Sequence, residues 1–239
     1  MKIAIIGYGR MGKSIEGLAK EAGHEVVQIF GGKNPEEFNV KNLQKAEVAI
    51  DFSLPDTAFT NIKKCIEAGV PVVSGTTGWL ERYEEVKSDC LEKKGAFFYA
   101  SNFSIGVNIF MEINERLAAL MNTQVAYDVS MTEIHHTRKL DAPSGTAITL
   151  AEGIIDKVER KSGHTLEQND GEANIHIDAI REGDVPGTHI IEYKSETDTI
   201  EIKHAAHSRI GFAKGAILAA EWLIGKEGVF GMKDMLRSA

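Results

Sequence analysis

The sequence predicts an α/β protein in two parts, a doubly wound parallel sheet followed by a second, α+β domain with a mixed sheet. Three observations lead there. An apolar segment, Lys2 to Ile6, runs directly into Gly7-Tyr8-Gly9-Arg10-Met11-Gly12 and a helical pattern. Strand-like and helix-like segments then alternate to about residue 104, as expected for parallel strands covered by helices. Beyond about residue 125 alternating strand patterns dominate instead.

In the first segment Met11, Ile15, Leu18, Ala19 and Ala22 recur at helical spacing, Gly23 ends the helix, and His24 to Phe30 supplies the next strand. The glycines therefore sit in a strand–turn–helix–strand unit that fits the dinucleotide fingerprint of Rossmann-type sheets. Gly7 permits the tight turn, Gly9 lets a pyrophosphate approach the backbone, and Gly12 allows helix–strand contact. An acid is expected roughly 20 residues on to accept the ribose hydroxyls. The chain has Phe30-Gly31-Gly32-Lys33 there. Lys33 can pair with a 2′-phosphate, which tilts the expectation towards NADPH with NADH also accepted.

Val48 to Ser53 reads as strand and turn, followed by a helix through Ala68 and a strand from Val70 to Ser74. Gly75, Thr76 and Thr77 lie past that strand. A helix through about Lys94 and a strand Ala96 to Tyr99 lead to Ala100, Ser101, Asn102 and Phe103. Ligands of such sheets bind beyond the carboxyl ends of strands, so both segments join Tyr8, Arg10 and Met11 as cofactor-binding candidates.

Gly106 to Met121 is helical in pattern, and Val125 to Met131 is strand-like, which puts His135 and His136 at or just past a strand's end. Pro143 is expected in the first turn of a helix reaching about Glu159. Ser144, Gly145 and Thr146 then offer unpaired N–H groups at the positive end of a helix dipole, suited to a carboxylate or phosphate, and Lys139 adds a full charge. Lys161 to Glu172 reads as an exposed loop. Strands follow at Asn174 to Asp178, Thr188 to Lys194 and Thr199 to His204, then one helix from about Gly211 to Ile224 with Ala213, Ile217, Ala220 and Ile224 on its stripe.

The run Glu133-Ile134-His135-His136-Thr137-Arg138-Lys139-Leu140-Asp141-Ala142-Pro143-Ser144-Gly145-Thr146 resembles the signature of the 4-hydroxy-tetrahydrodipicolinate (dihydrodipicolinate) reductase family. The glycine loop, Asp51-Phe52-Ser53, Gly75-Thr76-Thr77-Gly78, Asn102-Phe103-Ser104, Ser208-Arg209 and Phe212-Ala213 extend the likeness over most of the chain. It implies a Rossmann-type domain over 1–104, to which 213–239 returns, and a substrate-binding and oligomerisation domain over 105–212. It also implies NAD(P)H-dependent reduction of a small cyclic dicarboxylate in lysine and diaminopimelate biosynthesis, and a homotetramer formed through the second-domain sheet. Carried over by residue, it makes His135 a proton donor or acceptor, Lys139 a proton donor, and His136, Gly145 and Thr146 ligands of the substrate's carboxylates. Hydride delivered to an electron-poor carbon leaves charge that must be protonated, and both carboxylates must be neutralised, so these residue types suit the task.

Composition bounds the alternatives. The 239 residues are 43% hydrophobic and 26% charged, with a formal net charge of −8, an ordinary globular balance that argues against non-specific binding to nucleic acid or an anionic membrane. Cys65 and Cys90 are the only cysteines, without Cys-x-x-Cys spacing, so neither a disulfide framework nor a zinc knuckle is expected. The initial apolar run is too short for a signal or spanning segment, and a cytoplasmic protein is expected. No metal is expected, since adjacent His135 and His136 are awkward joint ligands and no His-Glu-x-x-His occurs. Two other readings share the layout: a dehydrogenase acting on another amino-acid-like carboxylate, and a nucleotide-sensing protein without turnover. Neither needs His135 and Lys139 together.

Overall fold

The computed structural model describes residues 1–32, 35–167, 171–208 and 210–238. The chain divides into two compact units, Met1–Ile105 with Ile210–Ala239, and Gly106–Arg209. The first unit begins with β1 (Lys2–Ile6), α1 (Arg10–Glu21), β2 (Glu25–Phe30), α2 (Val40–Leu43), β3 (Val48–Asp51), α3 (Pro55–Glu67), β4 (Val72–Ser74), α4 (Tyr83–Glu92) and β5 (Ala96–Tyr99). The strands are parallel. Successive residues of β1 point to opposite faces, and both faces are apolar: Ile3 and Ile5 pack with Ile15 and Ala19 of α1, Ala4 and Ile6 with Ile62 and Cys65 of α3. That continuous apolar run is why the strand needs helices on both sides. β1 lies between β2 and β3, so chain connections leave it in opposite directions, the crevice where parallel sheets bind ligands.

The second unit carries α5 (Ile105–Met121, entering from the first), β6 (Asp128–His135), α6 (Gly145–Ile155), β7 (Gly163–Thr165), β8 (Asn174–Arg181), β9 (Gly187–Lys194) and β10 (Thr199–Ala206). The sheet order is β10-β9-β6-β8-β7. It is mixed, with β6 antiparallel to β9 and parallel to β8. One face is apolar, where Met131, Ile177 and Ile191 pack with Phe110, Leu150 and Ile154. Two expectations fail here. Pro143 lies outside the helix, because Ser144 is the N-cap and its Oγ accepts from the Ala147 N–H at 3.2 Å; α6 also stops at Ile155. The stretch expected to be all loop contains β7, whose three residues, Gly163, His164 and Thr165, show no apolar alternation; 168–170 lie outside the described residues.

The chain then returns to the first unit as α7 (Ile210–Leu223), β11 (Gly228–Phe230) beside β5, and α8 (Met232–Arg237). α7 buries Ala213, Gly215, Ala216, Ile217, Ala219, Ala220 and Leu223, a wider face than a single stripe, whereas Ile224 lies beyond the helix and is exposed. Small residues let it approach closely: a Cβ on Gly215 would stand 1.8 Å from the Phe103 carbonyl oxygen. β11 and α8 are too short to leave a periodic pattern. Among the described residues no helix is long and apolar enough to cross a membrane.

Candidate functional site

In the first unit, β1, β3, β4 and β5 all end on the same edge of the sheet, and their following loops carry the cofactor candidates. Gly7 has φ +88°, and a Cβ there would meet the Phe52 carbonyl oxygen at 2.2 Å. A Cβ on Gly12 would meet the Gly7 oxygen at 2.2 Å, whereas one on Gly9 would find nothing within 4 Å. Two glycines thus close the turn and the third leaves open space. Gly9 caps α1 without a side-chain bond, and no acid occupies the first turn, so the N–H groups from Arg10 to Gly12 face outward at a positive helix end. A cavity of about 540 Å³ runs from Gly7, Tyr8 and Gly9 past Gly31 to Leu54 and Lys64. Lys33 lies outside the described residues.

The other candidates divide by side chain. Thr76 is buried beneath the edge: its Oγ1 donates to Asp51 at 2.7 Å and accepts from the Ser53 N–H at 2.9 Å. Asp51, fully buried, also accepts from Ser53 Oγ at 2.7 Å, Ser74 Oγ at 3.0 Å and Asn61 Nδ2 at 3.3 Å. Burial pushes its carboxyl above the usual range despite these four donors. The Phe103 ring is core, against Phe52 and Phe98, and the Phe52 ring covers Gly75, where a Cβ would clash at 2.2 Å. Thr77 and Ser101 are exposed, Ala100 is buried, and the Asn102 Oδ1 accepts from the Ser104 N–H at 2.9 Å. Thr76 and Phe103 therefore hold the loops in shape, and Thr77 and Ser101 present side chains outward.

In the second unit the inward face of β6 reads Val129, Met131, Glu133, His135, turning from apolar to polar at the strand's end. Register places Glu133 opposite His189 of β9, and His135 opposite Arg181 of β8. Glu133 has no solvent exposure. Its oxygens accept the Ser144 N–H at 3.1 Å and Arg181 Nη2 at 3.0 Å, and Oε2 lies 3.4 Å from His135 Nδ1 and 3.9 Å from His189 Nε2. Burial would raise this carboxyl, but the contacts with His135, Ser144 and Arg181 outweigh it and hold it at about 2. His189 is pushed down to about 4, first by burial and then by the neighbouring His135, so it is neutral at ordinary pH. Its Nε2 lies 3.3 Å from Ser144 Oγ.

Lys139 sits in the loop between β6 and α6 with Nζ 2.7 and 2.8 Å from the two Asp141 oxygens, so its charge is paired. Arg181 Nη2 donates to the Asp141 carbonyl at 2.6 Å, Glu182 N–H to the His135 carbonyl at 2.7 Å, and Arg138 pairs with Asp184 at 2.7 Å. The loop is strapped to the β8–β9 connection. Gly145 and Thr146 form the first turn of α6, with no acid in it and nothing within 4 Å of a Cβ built on Gly145. His136 is half-buried beside His135. Glu133, His135 and His189 also place ligand-type atoms within 4.8 Å of one another. A metal there would face the Arg181 charge and compete with the Ser144 N–H, a poor donor set for a cation.

Residues 1–103 match the family described as "Dihydrodipicolinate reductase, N-terminus", and residues 106–236 its C-terminus. The chain belongs to the dihydrodipicolinate reductase family. The 4-hydroxy-tetrahydrodipicolinate reductase of Christiangramia forsetii is 50% identical to it over 236 residues, covering 99% of this chain and 98% of the relative. That of Desulfovibrio desulfuricans is 36% identical, covering 98% of each. The dipicolinate-bound dihydrodipicolinate reductase from Paenisporosarcina sp. TG-14 shares the fold, with a TM-score of 0.82, 24% identity and 98% of each chain covered. The doubly wound sheet with a second mixed sheet is thus the architecture of this reductase family.

Sequence reasoning passed over Glu133, Arg181 and His189. The signal for Glu133 was available: it stands two residues before His135, on the same face of a strand. Arg181 and His189 reach the site only through strand register, which no local pattern reveals.

Proposed function

We propose that this chain reduces 4-hydroxy-tetrahydrodipicolinate to tetrahydrodipicolinate and water with a nicotinamide cofactor, in lysine and diaminopimelate biosynthesis, and that its two units divide the labour. The first unit holds the cofactor, whose pyrophosphate suits the open space at Gly9 and the uncapped N–H groups of Arg10, Met11 and Gly12. Gly7, Tyr8, Gly75, Thr76, Thr77 and the stretch Ala100 to Phe103 shape that edge. When bound, the dinucleotide supplies the hydride. β2 ends in Phe30-Gly31-Gly32, so no carboxylate there repels a 2′-phosphate, and NADPH is preferred modestly over NADH with Lys33 as the phosphate partner.

In the second unit Gly145 and Thr146 N–H groups, His136 and Lys139 bind and neutralise the substrate's carboxylates. His135 and Lys139 handle the protons: the imidazole can donate or accept one, and the ammonium supplies charge and a proton once the substrate competes for it with Asp141. The observation that carries the reading is that His135 and the open start of α6 are clamped to one buried carboxylate, Glu133. The protein is cytoplasmic and a homotetramer, joined through the second-unit sheet.

The test is oxidation of NADPH and of NADH, followed by absorbance of the reduced nicotinamide, with enzymatically generated 4-hydroxy-tetrahydrodipicolinate. Substrate-dependent oxidation supports the reading. No turnover with either cofactor sinks it and favours a nucleotide-sensing protein.

A further inference from the structure

We infer that Glu133 is a positioning residue for the proton transfer: its carboxylate holds the His135 imidazole with Nδ1 inward, leaving Nε2 to exchange the reacting proton, and locks the start of α6 in the same frame. The inference rests on the function proposed above and deepens it.

Four observations support it. Nδ1 of His135 is buried, and Glu133 Oε2, at 3.4 Å, is the polar group facing it among the described residues. That distance is an ion-pair separation rather than a short hydrogen bond, and such contacts tighten when the ring becomes charged. Nε2 borders Gly187, where a Cβ would stand 3.0 Å away, so any larger residue at this position of β9 would crowd this nitrogen. The other histidine in the cluster, His189, is neutral, so it does not compete with His135 for the carboxylate's charge. Finally, Arg181 keeps the Ile180 and Asp141 carbonyls as partners without Glu133, whereas His135 Nδ1 keeps none of those described. A carboxylate needed only to neutralise Arg181 would have no reason to face the histidine.

Among the described residues the charged and titratable groups around His135 include Glu133 on its own strand, the adjacent His136, His189 on β9, Arg181 on β8, and Lys139 with Asp141 on the following loop. Within this set Glu133 is the carboxylate beside the ring, with Asp141 engaged by Lys139. The proton balance follows. The cationic ring donates its Nε2 proton to the substrate and returns to neutral with its remaining proton on Nδ1, towards Glu133.

The experiment has two arms. In the unmutated protein, ¹⁵N NMR of labelled histidine, assigned with His135→Gln, reads which nitrogen of the neutral ring carries the proton. The Nδ1–H tautomer is expected; an Nε2–H ring overturns the proposal. This arm needs neither turnover nor a folded variant at position 133, so it judges the orientation even if the reductase assay fails. In Glu133→Gln, turnover at saturating substrate is expected to fall by about 10²-fold, with the NADPH dissociation constant unchanged and part of the rate restored in Glu133→Asp, which keeps the charge. A near-normal rate in folded Glu133→Gln assigns the residue to structure alone and overturns the proposal.

Discussion

Replacing Gly12 and Gly9 separately by alanine distinguishes a glycine needed by the fold from one needed by the ligand. At Gly12 the new methyl would stand 2.2 Å from the Gly7 carbonyl oxygen and 3.3 Å from an Ile5 methyl. An ordinary C···O contact is about 3.3 Å or longer, so the loop and the start of α1 must part by roughly 1 Å. The obstacle is backbone, which cannot rotate aside. Overpacking of this kind costs about 1–3 kcal/mol. With a melting shift of roughly 2–4 °C per kcal/mol at this chain length, Gly12→Ala should lower Tm by about 2–12 °C. Gly9→Ala meets nothing within 4 Å in the protein, so Tm should hold, but its methyl would occupy the pyrophosphate's approach and weaken NADPH binding by tenfold or more, about 1.4 kcal/mol. Gly17→Ala, also uncrowded and mid-helix, serves as control and should raise stability by up to about 1 kcal/mol. Differential scanning fluorimetry and NADPH fluorescence titration read both quantities. Equal loss of Tm in Gly9→Ala and Gly12→Ala, or normal NADPH binding in Gly9→Ala, would refute the division of roles.

Three further outcomes are expected. Replacing His135 by Gln or Lys139 by Ala should cut turnover on the order of 10²–10⁴-fold with little change in cofactor affinity; a near-normal rate in Lys139→Ala would remove it from the mechanism. Acid should weaken the second unit in two stages: between the ordinary histidine value of 6.5 and about 4 the unfolded chain protonates at His189 while the fold resists, and between 4.5 and about 2 it protonates at Glu133 while the fold keeps the carboxylate ionised. Both folded values are depressed, so stability present at higher pH is lost on acidification; urea unfolding of His189→Gln should flatten the first stage, and an unchanged slope would contradict its assignment. Lys33→Ala should raise KM for NADPH several-fold and leave KM for NADH nearly unchanged, since a single ion pair in water is worth roughly 0.2–1 kcal/mol; parallel movement of both constants would remove Lys33 from recognition of the 2′-phosphate.

What the sequence revealed was what local pattern encodes. The strand running into Gly7 is apolar on both faces, so its burial between two helical layers followed from composition alone. The helix start at Gly145 and Thr146 was legible from Pro143, although reading the proline into the first turn misplaced the helix by two residues, since Ser144 is the N-cap. Elements of three residues, β7 and β11, left no period to read and exist because neighbouring strands offer an edge. The electrostatic frame of the site was least legible. Glu133 meets Arg181 and His189 across about fifty residues of chain, a meeting set by the register of β6 against β8 and β9. Lys139 looked like a free charge because Asp141, two residues on, gave no sign that both its oxygens turn back onto the ammonium.

The placement of the substrate's carboxylates at the start of α6 is tested by a crystal structure with pyridine-2,6-dicarboxylate, a flat analogue carrying both carboxylates. One carboxylate is expected on the N–H groups of Gly145 and Thr146, with His136 in contact, the ring facing His135, and Lys139 drawn from Asp141 towards the ligand. An analogue bound away from the start of α6, with Lys139 still paired to Asp141, would contradict it.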